Sequence, residues 1–439
     1  MSVATATLFR APIRNRRMDG NKAAAAGVAA LAALLVALFN KSAVVVDWAA
    51  RGAGECLRLD AATLTQAQFD TVVLAGWPAV IRGAAALPEL RTAAQNWSNA
   101  GHLLRQFGDE RLQLSLSDGT TFEGVEPAGG WPGAERFWQA WRQGGKVGKR
   151  DRTSAAAGGG EVELLSRAGS KLARCAKLGA GCVRHVLDKV VVRPAQAQST
   201  LRQVLTRKEG SNGDSPSVYV QYEGVPTAMR QEIRPPAFAA SLRPDFTGLW
   251  LGRGATSAQL HHDANENLLL MVRGSKRWRL LPPSAGDALH EGLMLEVQQV
   301  VAASRPPEGG HSRPGGDDTE WPPPVARAAV GLGNASLSFF TSPVDLIQPD
   351  FQRFPALEAL LKKGGSGGGV IEVELQPGEL LFVPAWWWHQ VETTPTADAI
   401  ESDEDTEEDD ADEVAVAEPW SVAVNWWYRH LHSNFGRIQ

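Results

Sequence analysis

Three side chains with metal-binding chemistry stand at a suggestive spacing. His261 and Asp263 are two residues apart in LHHDANEN, and His389 follows 126 residues after Asp263. On a strand, residues i and i+2 share a face, so an imidazole and a carboxylate two apart can reach one ion. Two histidines and one carboxylate on one side of a metal are the ligand set of non-haem Fe(II) centres, and they leave three positions open. A His-x-Asp pair alone is weak, being more often a surface or core pair than a ligand set. Its surroundings sharpen it. Gly274-Ser275-Lys276 follows shortly in a strand-rich segment ending at Pro282-Pro283, and Pro377-Gly378-Glu379 makes a turn feeding LLFVP and then His389. Asn425 sits in the otherwise apolar run SVAVNWWY, where a buried amide must find partners. Period two sets Lys276 and Arg277 on opposite faces, so only one of them can point into a pocket.

The elements that must position these residues read as short strands at 217–222, 247–252, 266–272, 276–281, 337–340, 371–375, 380–384 and 421–427. Many short strands separated by turn signals imply a sandwich or barrel, not a parallel α/β sheet. Upstream, 72–83 reads as an extended run with Pro78 at an edge, and 88–107 as a helix stopped by Gly108. LQLSL at 112–116 reads as a half-buried strand, and 135–141 as a short amphipathic helix. Residues 142–208 read as a basic, Gly-rich insertion with 15 Lys or Arg against four acids. Loops are expected at 302–334, at Gly364 to Gly369 and around an acidic tract in which 11 of the 16 residues 398–413 are Asp or Glu.

Taken in chain order, PAVIRG, NWSNAGHLLRQFGD, VYVQY, LHHDANENLLLMVRGSKRWRLLPP, PGELLFVPAWWWHQV and SVAVNWWY resemble the JmjC, or cupin-8, family, particularly its small hydroxylases. The resemblance runs from about Trp77 to Tyr428. It implies a mainly β fold, a double-stranded β-helix (jelly roll) with flanking N-terminal helices and low-complexity insertions. It implies an Fe(II)- and 2-oxoglutarate-dependent dioxygenase that hydroxylates a protein, with molecular oxygen as co-reactant. His261, Asp263 and His389 would then hold iron. Lys276 and Tyr219 would bind the distal carboxylate of 2-oxoglutarate, Asn267 and Asn425 would flank its chelating end, and Trp427 and Trp388 would wall the pocket. One departure stands out: many relatives carry Thr three residues before the first ligand, and here that position is Ala258. Two other readings remain, N-methyl-lysine demethylation and a non-catalytic cupin-like binding module. The intact set of His261, Asp263, His389 and Lys276 speaks against the second.

Composition narrows the rest. Net charge is −5 and three cysteines show no Cys-x-x-Cys spacing, so neither a polycation built for nucleic acid nor a zinc-finger module is implied. The basic insertion lacks the interleaved aromatics of a base-stacking platform. Ala23 to Phe39 is an uncharged run of 17 residues behind several arginines. It predicts a single-pass transmembrane helix or signal-anchor, and hence membrane or secretory-pathway placement, with organelle import or the cytoplasm as the other options. The domain plan is thus a 1–43 targeting segment, 44–141 as the N-terminal part of the fold, the 142–208 insertion and a 209–439 jelly-roll core with loops at 302–334 and 398–418.

Overall fold

A computed structural model of the chain describes residues 55–119, 121–142, 185–206, 216–302, 322–330, 336–338, 340–362, 369–396 and 419–430. Its centre is a pair of facing sheets. The larger has nine strands in the spatial order Leu57–Asp60, Ala79–Arg82, Leu380–Val383, Asn265–Arg273, Trp420–Arg429, Pro244–Arg253, Ser217–Gly224, Arg111–Ser117 and Ala195–Thr200. The smaller has five, in the order Ile371–Leu375, Ser275–Leu281, Trp388–Thr394, Thr256–His262 and Thr121–Phe122. Strands that follow one another in sequence cross from sheet to sheet: 244–253, 256–262, 265–273 and 275–281 alternate, and so do 371–375, 380–383, 388–394 and 420–429. Two interleaved coils of this kind make the double-stranded β-helix that the sequence implied.

Chemistry at the turns makes this winding possible. Gly274 and Gly378 sit at φ of +81° and +83°, where a side chain is strained. A Cβ on Gly274 would also stand 2.7 Å from the Thr394 carbonyl oxygen. Between the sheets lies one apolar layer, in which Leu269, Met271, Leu381, Val383 and Ala423 of the larger sheet meet Trp278, Leu280, Val373, Leu375 and Val391 of the smaller. Alternation selects these residues, since each faces inward and its neighbours face out.

The N-terminal region departs from expectation. Residues 72–75, expected to be extended, belong instead to a helix, Gln66–Ala75. Thr65 accepts a hydrogen bond from the Gln68 amide, and the Gln68 side chain accepts one from the Thr65 amide. This capping box outweighs the strand preference of Val72 and Val73. Gly76 ends the helix at φ +60°, and the extended stretch shrinks to Ala79–Arg82. The helix expected over 88–107 is broken into Arg91–Asn96 and Ala100–Phe107, the second capped by Asn99. Helix Gln66–Ala75 docks through Phe69, which packs edge-on against Phe238 and Phe382, with centroids at 4.8 and 5.3 Å.

The basic insertion is shorter than expected. Residues 185–206 are part of the fold: Ala195–Thr200 is an edge strand of the large sheet, and Leu201–Thr206 is a helix. His185–Arg193 pairs in parallel with Leu293–Val301 in a third sheet. Helix Ala134–Arg142 lies in the same region, and Phe137 and Trp138 share an apolar cluster with Val190, Val192, Leu295 and Val297. The run of three valines at 190–192 was hidden in the sequence by the charges around it. A second correction concerns the membrane. Among the described residues no helix is long and apolar enough to cross one, so the transmembrane helix is withdrawn. The stretch that suggested it, 23–39, lies outside the described residues, as do 143–184 and the acidic tract. At 17 alanine-rich residues it also falls short of the ~20 that a span needs.

Phe69→Ala is expected to lower stability by about 3–5 kcal/mol, the usual cost of emptying a buried phenylalanine site. Urea unfolding measures it, and a loss below about 1 kcal/mol would contradict the docking described.

Candidate metal centre and pocket

His261 is the last residue but one of its strand, and Asp263 follows the strand end. The neighbouring strand 388–394 runs antiparallel with His261 opposite His389, and the register shifts between Ala258 and His261. This pairing brings the two imidazoles together at a centroid distance of 4.2 Å, their planes tilted by 57°. His389 Nε2 lies 3.7 Å from Asp263 Oδ2, and one ligand atom from each of the three residues falls within 4.8 Å of the others. Backbone carbonyls fix the tautomers. His261 Nδ1 is 2.6 Å from the Gln259 oxygen and His389 Nδ1 is 2.9 Å from the Trp387 oxygen. A carbonyl can only accept, so both Nδ1 atoms carry the proton and both Nε2 lone pairs are left for a metal. Asp263 is tied in through its own carbonyl, which accepts from the Trp386 amide at 2.7 Å.

Burial holds the His389 imidazole neutral, lowering its pKa to about 4, with the charge of His261 adding to the effect and Asp263 opposing it. His262, the neighbour of His261, is also buried. Its ring packs edge-on against Trp388 at 4.4 Å, and desolvation lowers it to about 4 as well. It faces away from the triad side of the strand and is a core histidine.

The three ligand side chains open into a pocket of about 590 Å³, counting its mouth. At its other side lies Lys276, only 5% exposed. Its Nζ donates to the Tyr219 hydroxyl at 3.0 Å and to the Thr393 hydroxyl at 2.7 Å. Among the described residues no carboxylate pairs with it. An ammonium taken out of water costs several kcal/mol unless an anion answers it, so Lys276 is the point of this pocket that could hold a negatively charged group. The face question is settled too: Arg277 is exposed and reaches Glu374 on the outside. A glycine makes room for Tyr219, since a Cβ on Gly252 would collide with its ring.

The remaining expected residues divide. Asn267, Trp427, Tyr219, Lys276 and the triad line the pocket. Asn425 is fully buried behind the wall, where it donates to Asn267 Oδ1 at 3.2 Å and accepts from Trp250 Nε1 at 2.9 Å. Trp388 is not part of the lining. It neighbours inward-facing His389, so alternation sends it to the opposite core with Leu260, Leu281 and Leu289. Sequence reasoning missed Thr393, four residues beyond His389 and on the same face of its strand. The signal was present as period two from His389, but hydroxyl residues are too common to single out. Thr393 places a hydroxyl 2.7 Å from Lys276 Nζ. It also missed Trp250, Glu123 and Tyr222, which line the same pocket.

A double-stranded β-helix whose pocket holds two histidines and a carboxylate at one side, and at the other a lysine with no carboxylate partner among the described residues, defines a cupin-type ligand pocket. The model of the cupin-like domain family (cupin-8, the JmjC type) matches residues 65–434, and the chain belongs to that family. It is similar to lysine-specific demethylase JMJ31 of Arabidopsis thaliana, 26% identical over 207 residues, which are 47% of this chain and 25% of that protein. It is also similar to the human bifunctional peptidase and (3S)-lysyl hydroxylase JMJD7, 25% identical over 216 residues, 47% of this chain and 59% of that one. The HSPB1-associated protein 1 homolog of Danio rerio is 29% identical over 171 residues, 38% of this chain and 28% of its own. The matched stretches therefore span about a quarter to three fifths of these relatives.

Two buried imidazoles with lowered pKa give a pH dependence whose sign can be worked out. The unfolded chain binds their protons near pH 6.5 and the folded chain only near 4, so their contribution is complete above 6.5 and is lost as pH falls towards 4. Metal-free protein is expected to lose on the order of 3 kcal/mol through His389 alone across that window. Urea midpoints taken between pH 7.5 and 4 test this, and a flat profile would contradict burial of neutral His389.

Proposed function

We propose that this chain is an Fe(II)- and 2-oxoglutarate-dependent dioxygenase that hydroxylates a protein side chain. The reading is carried by Lys276: a buried cation with hydroxyl partners and no described anion, across the pocket from a two-histidine, one-carboxylate cluster. A dicarboxylate with a 2-oxo end fits both requirements. Iron at His261, Asp263 and His389 would supply, with that co-substrate, oxidation of a C–H bond by O2 with release of succinate and CO2.

What the protein contributes is position and dryness. His261 and His389 present Nε2 because their Nδ1 protons are committed to carbonyls. Tyr219 and Thr393 accept from Lys276, which leaves their own hydroxyl protons free to donate to the distal carboxylate. Asn425, pinned by Trp250, orients the Asn267 amide on the pocket wall. Trp250, Trp278 and Trp427 give apolar walls that keep water from the reacting centre. Methyl-lysine oxidation, suggested by the demethylase among the relatives, is the second reading, and formaldehyde release separates it from stable hydroxylation.

Asp263→Ala is expected to cut succinate release at least a hundredfold while circular dichroism stays unchanged, since Fe(II) ranks low in intrinsic affinity and tolerates poorly the loss of one ligand. Full turnover by that variant would sink the ligand assignment. For Lys276→Met the expectation is a rise of about a hundredfold or more in the 2-oxoglutarate concentration needed for half-maximal turnover, because a carboxylate would be buried unpaired. An unchanged requirement would place the distal carboxylate elsewhere.

A further inference from the structure

One short turn, Ala385-Trp386-Trp387, holds both Asp263 and His389. The Trp386 amide donates to the Asp263 carbonyl at 2.7 Å, and the Trp387 carbonyl accepts from His389 Nδ1 at 2.9 Å. Trp386 sits at φ +68°, a left-handed backbone that strains a bulky residue and persists where its surroundings enforce it. At one end of the turn the Trp387 indole donates to the Gly76 carbonyl at 3.0 Å and packs edge-on against Trp77 at 5.2 Å. At the other end the anchor is a carboxylate, since the Ala385 amide donates to Glu266 Oε2 at 2.9 Å.

Glu266 is placed for this by its strand. Asn267 faces the pocket, so alternation turns Glu266 to the opposite face of the strand 265–273, where it is 2% exposed. A carboxylate at that depth is costly unless donors answer it. Two donors do, one on each oxygen. The Ala385 amide takes Oε2, and Nδ1 of His430, which follows the strand 420–429, takes Oε1. A carboxylate can only accept, so His430 Nδ1 carries a proton. These donors lie 119 and 164 residues further along the chain, and together they fix the carboxylate's orientation. Glu266 does not line the pocket, and the reaction proposed above assigns it no part.

We propose that Glu266 is a positioning residue of the metal centre: oriented by His430, it fixes the turn 385–387, and through that turn the Asp263 backbone and the His389 imidazole. Without the Ala385 bond the strained Trp386 backbone is free to relax. That relaxation would draw a donor from Asp263 and an acceptor from His389 together. His261, oriented by the Gln259 carbonyl, would keep its place. Groups that orient a ligand from behind typically change metal affinity about 10–100-fold when removed. The inference rests on the reading that His261, Asp263 and His389 bind a metal ion, which the first step of the test checks by itself.

The test titrates the metal-free full chain with Co(II), whose visible absorption reports both the affinity and the shape of the site. Binding by the unaltered chain, lost in Asp263→Ala, is the control for the metal reading. Silence from the unaltered chain would refute that reading and this one with it. Given binding, Glu266→Leu, similar in size and without acceptors, is expected to weaken Co(II) at least about tenfold and to shift the visible band. Glu266→Gln keeps an oxygen for the Ala385 amide and should stay within about threefold of the unaltered chain. His430→Ala, at a partly exposed position, should weaken Co(II) several-fold, and it decides alone should the leucine variant fail to fold. Urea midpoints of the metal-free variants are measured alongside, because a role in stability alone would lower them and leave affinity and band unmoved. Unmoved affinity and band in the folded variants overturn the proposal. So does a glutamine variant as impaired as the leucine one, which would assign the effect to charge and not to the turn.

Discussion

Cross-strand register between 256–262 and 388–394 is the constraint on which the pocket depends. Placing His261 opposite His389 brings two imidazoles to 4.2 Å between centroids, and the same ladder sets Thr256 opposite Thr393. The strand 275–281 pairs on the other side of 388–394 and sets Lys276 opposite Thr393. One strand thus carries a metal-type ligand at one end and a hydroxyl partner of the buried ammonium at the other. A slip of one residue would turn His389 and Thr393 into the outer layer and bring Trp388 inward. Trp388 blocks that slip, because its indole is committed to the core on the far side.

Much of this was legible in the sequence, for a physical reason. The strands 217–224, 265–273, 275–281, 371–375 and 380–383 carry strong apolar patterning between Gly and Pro turns, so their type is declared locally. His261, Asp263 and His389 could be singled out because a weak His-x-Asp pair is followed in order by Gly274-Ser275-Lys276 and by the turn that leads to His389. The misses share a different cause. Val72 and Val73 favour a strand in isolation, and only the Thr65–Gln68 cap reverses them. Residues 185–206 looked like part of a charged insertion because Arg184, Asp188, Lys189 and Arg193 surround three buried valines. Partners far away in sequence give those segments their structure, and no local window contains that information.

The site residues divide along the same line. Alternation set Lys276 and Arg277 on opposite faces, and the family resemblance chose Lys276. Thr393 and Glu123 acquire meaning only through contacts made across the fold, with Lys276 from 117 residues upstream and Arg193 from 70 residues downstream. Asn425 was singled out correctly as a buried amide. Its place behind the wall, joined to Trp250, could be read only from three strands side by side.

The bridge between Thr396 and Trp420 carries a consequence for how this chain varies. Two backbone hydrogen bonds, at 3.1 and 3.2 Å, close the ends of the stretch between them, and Arg273 reinforces the closure by donating to the Thr396 carbonyl and lying 4.5 Å over the Trp420 ring. Tension or slack in the intervening chain is therefore met at the clamp and is not passed to the strand that holds His389. Each doubling of a stretch so clamped adds only about 0.6 kcal/mol of closure entropy. Lengthening, shortening or recoding it therefore leaves the register at His389 untouched while it changes the charge and surface offered there.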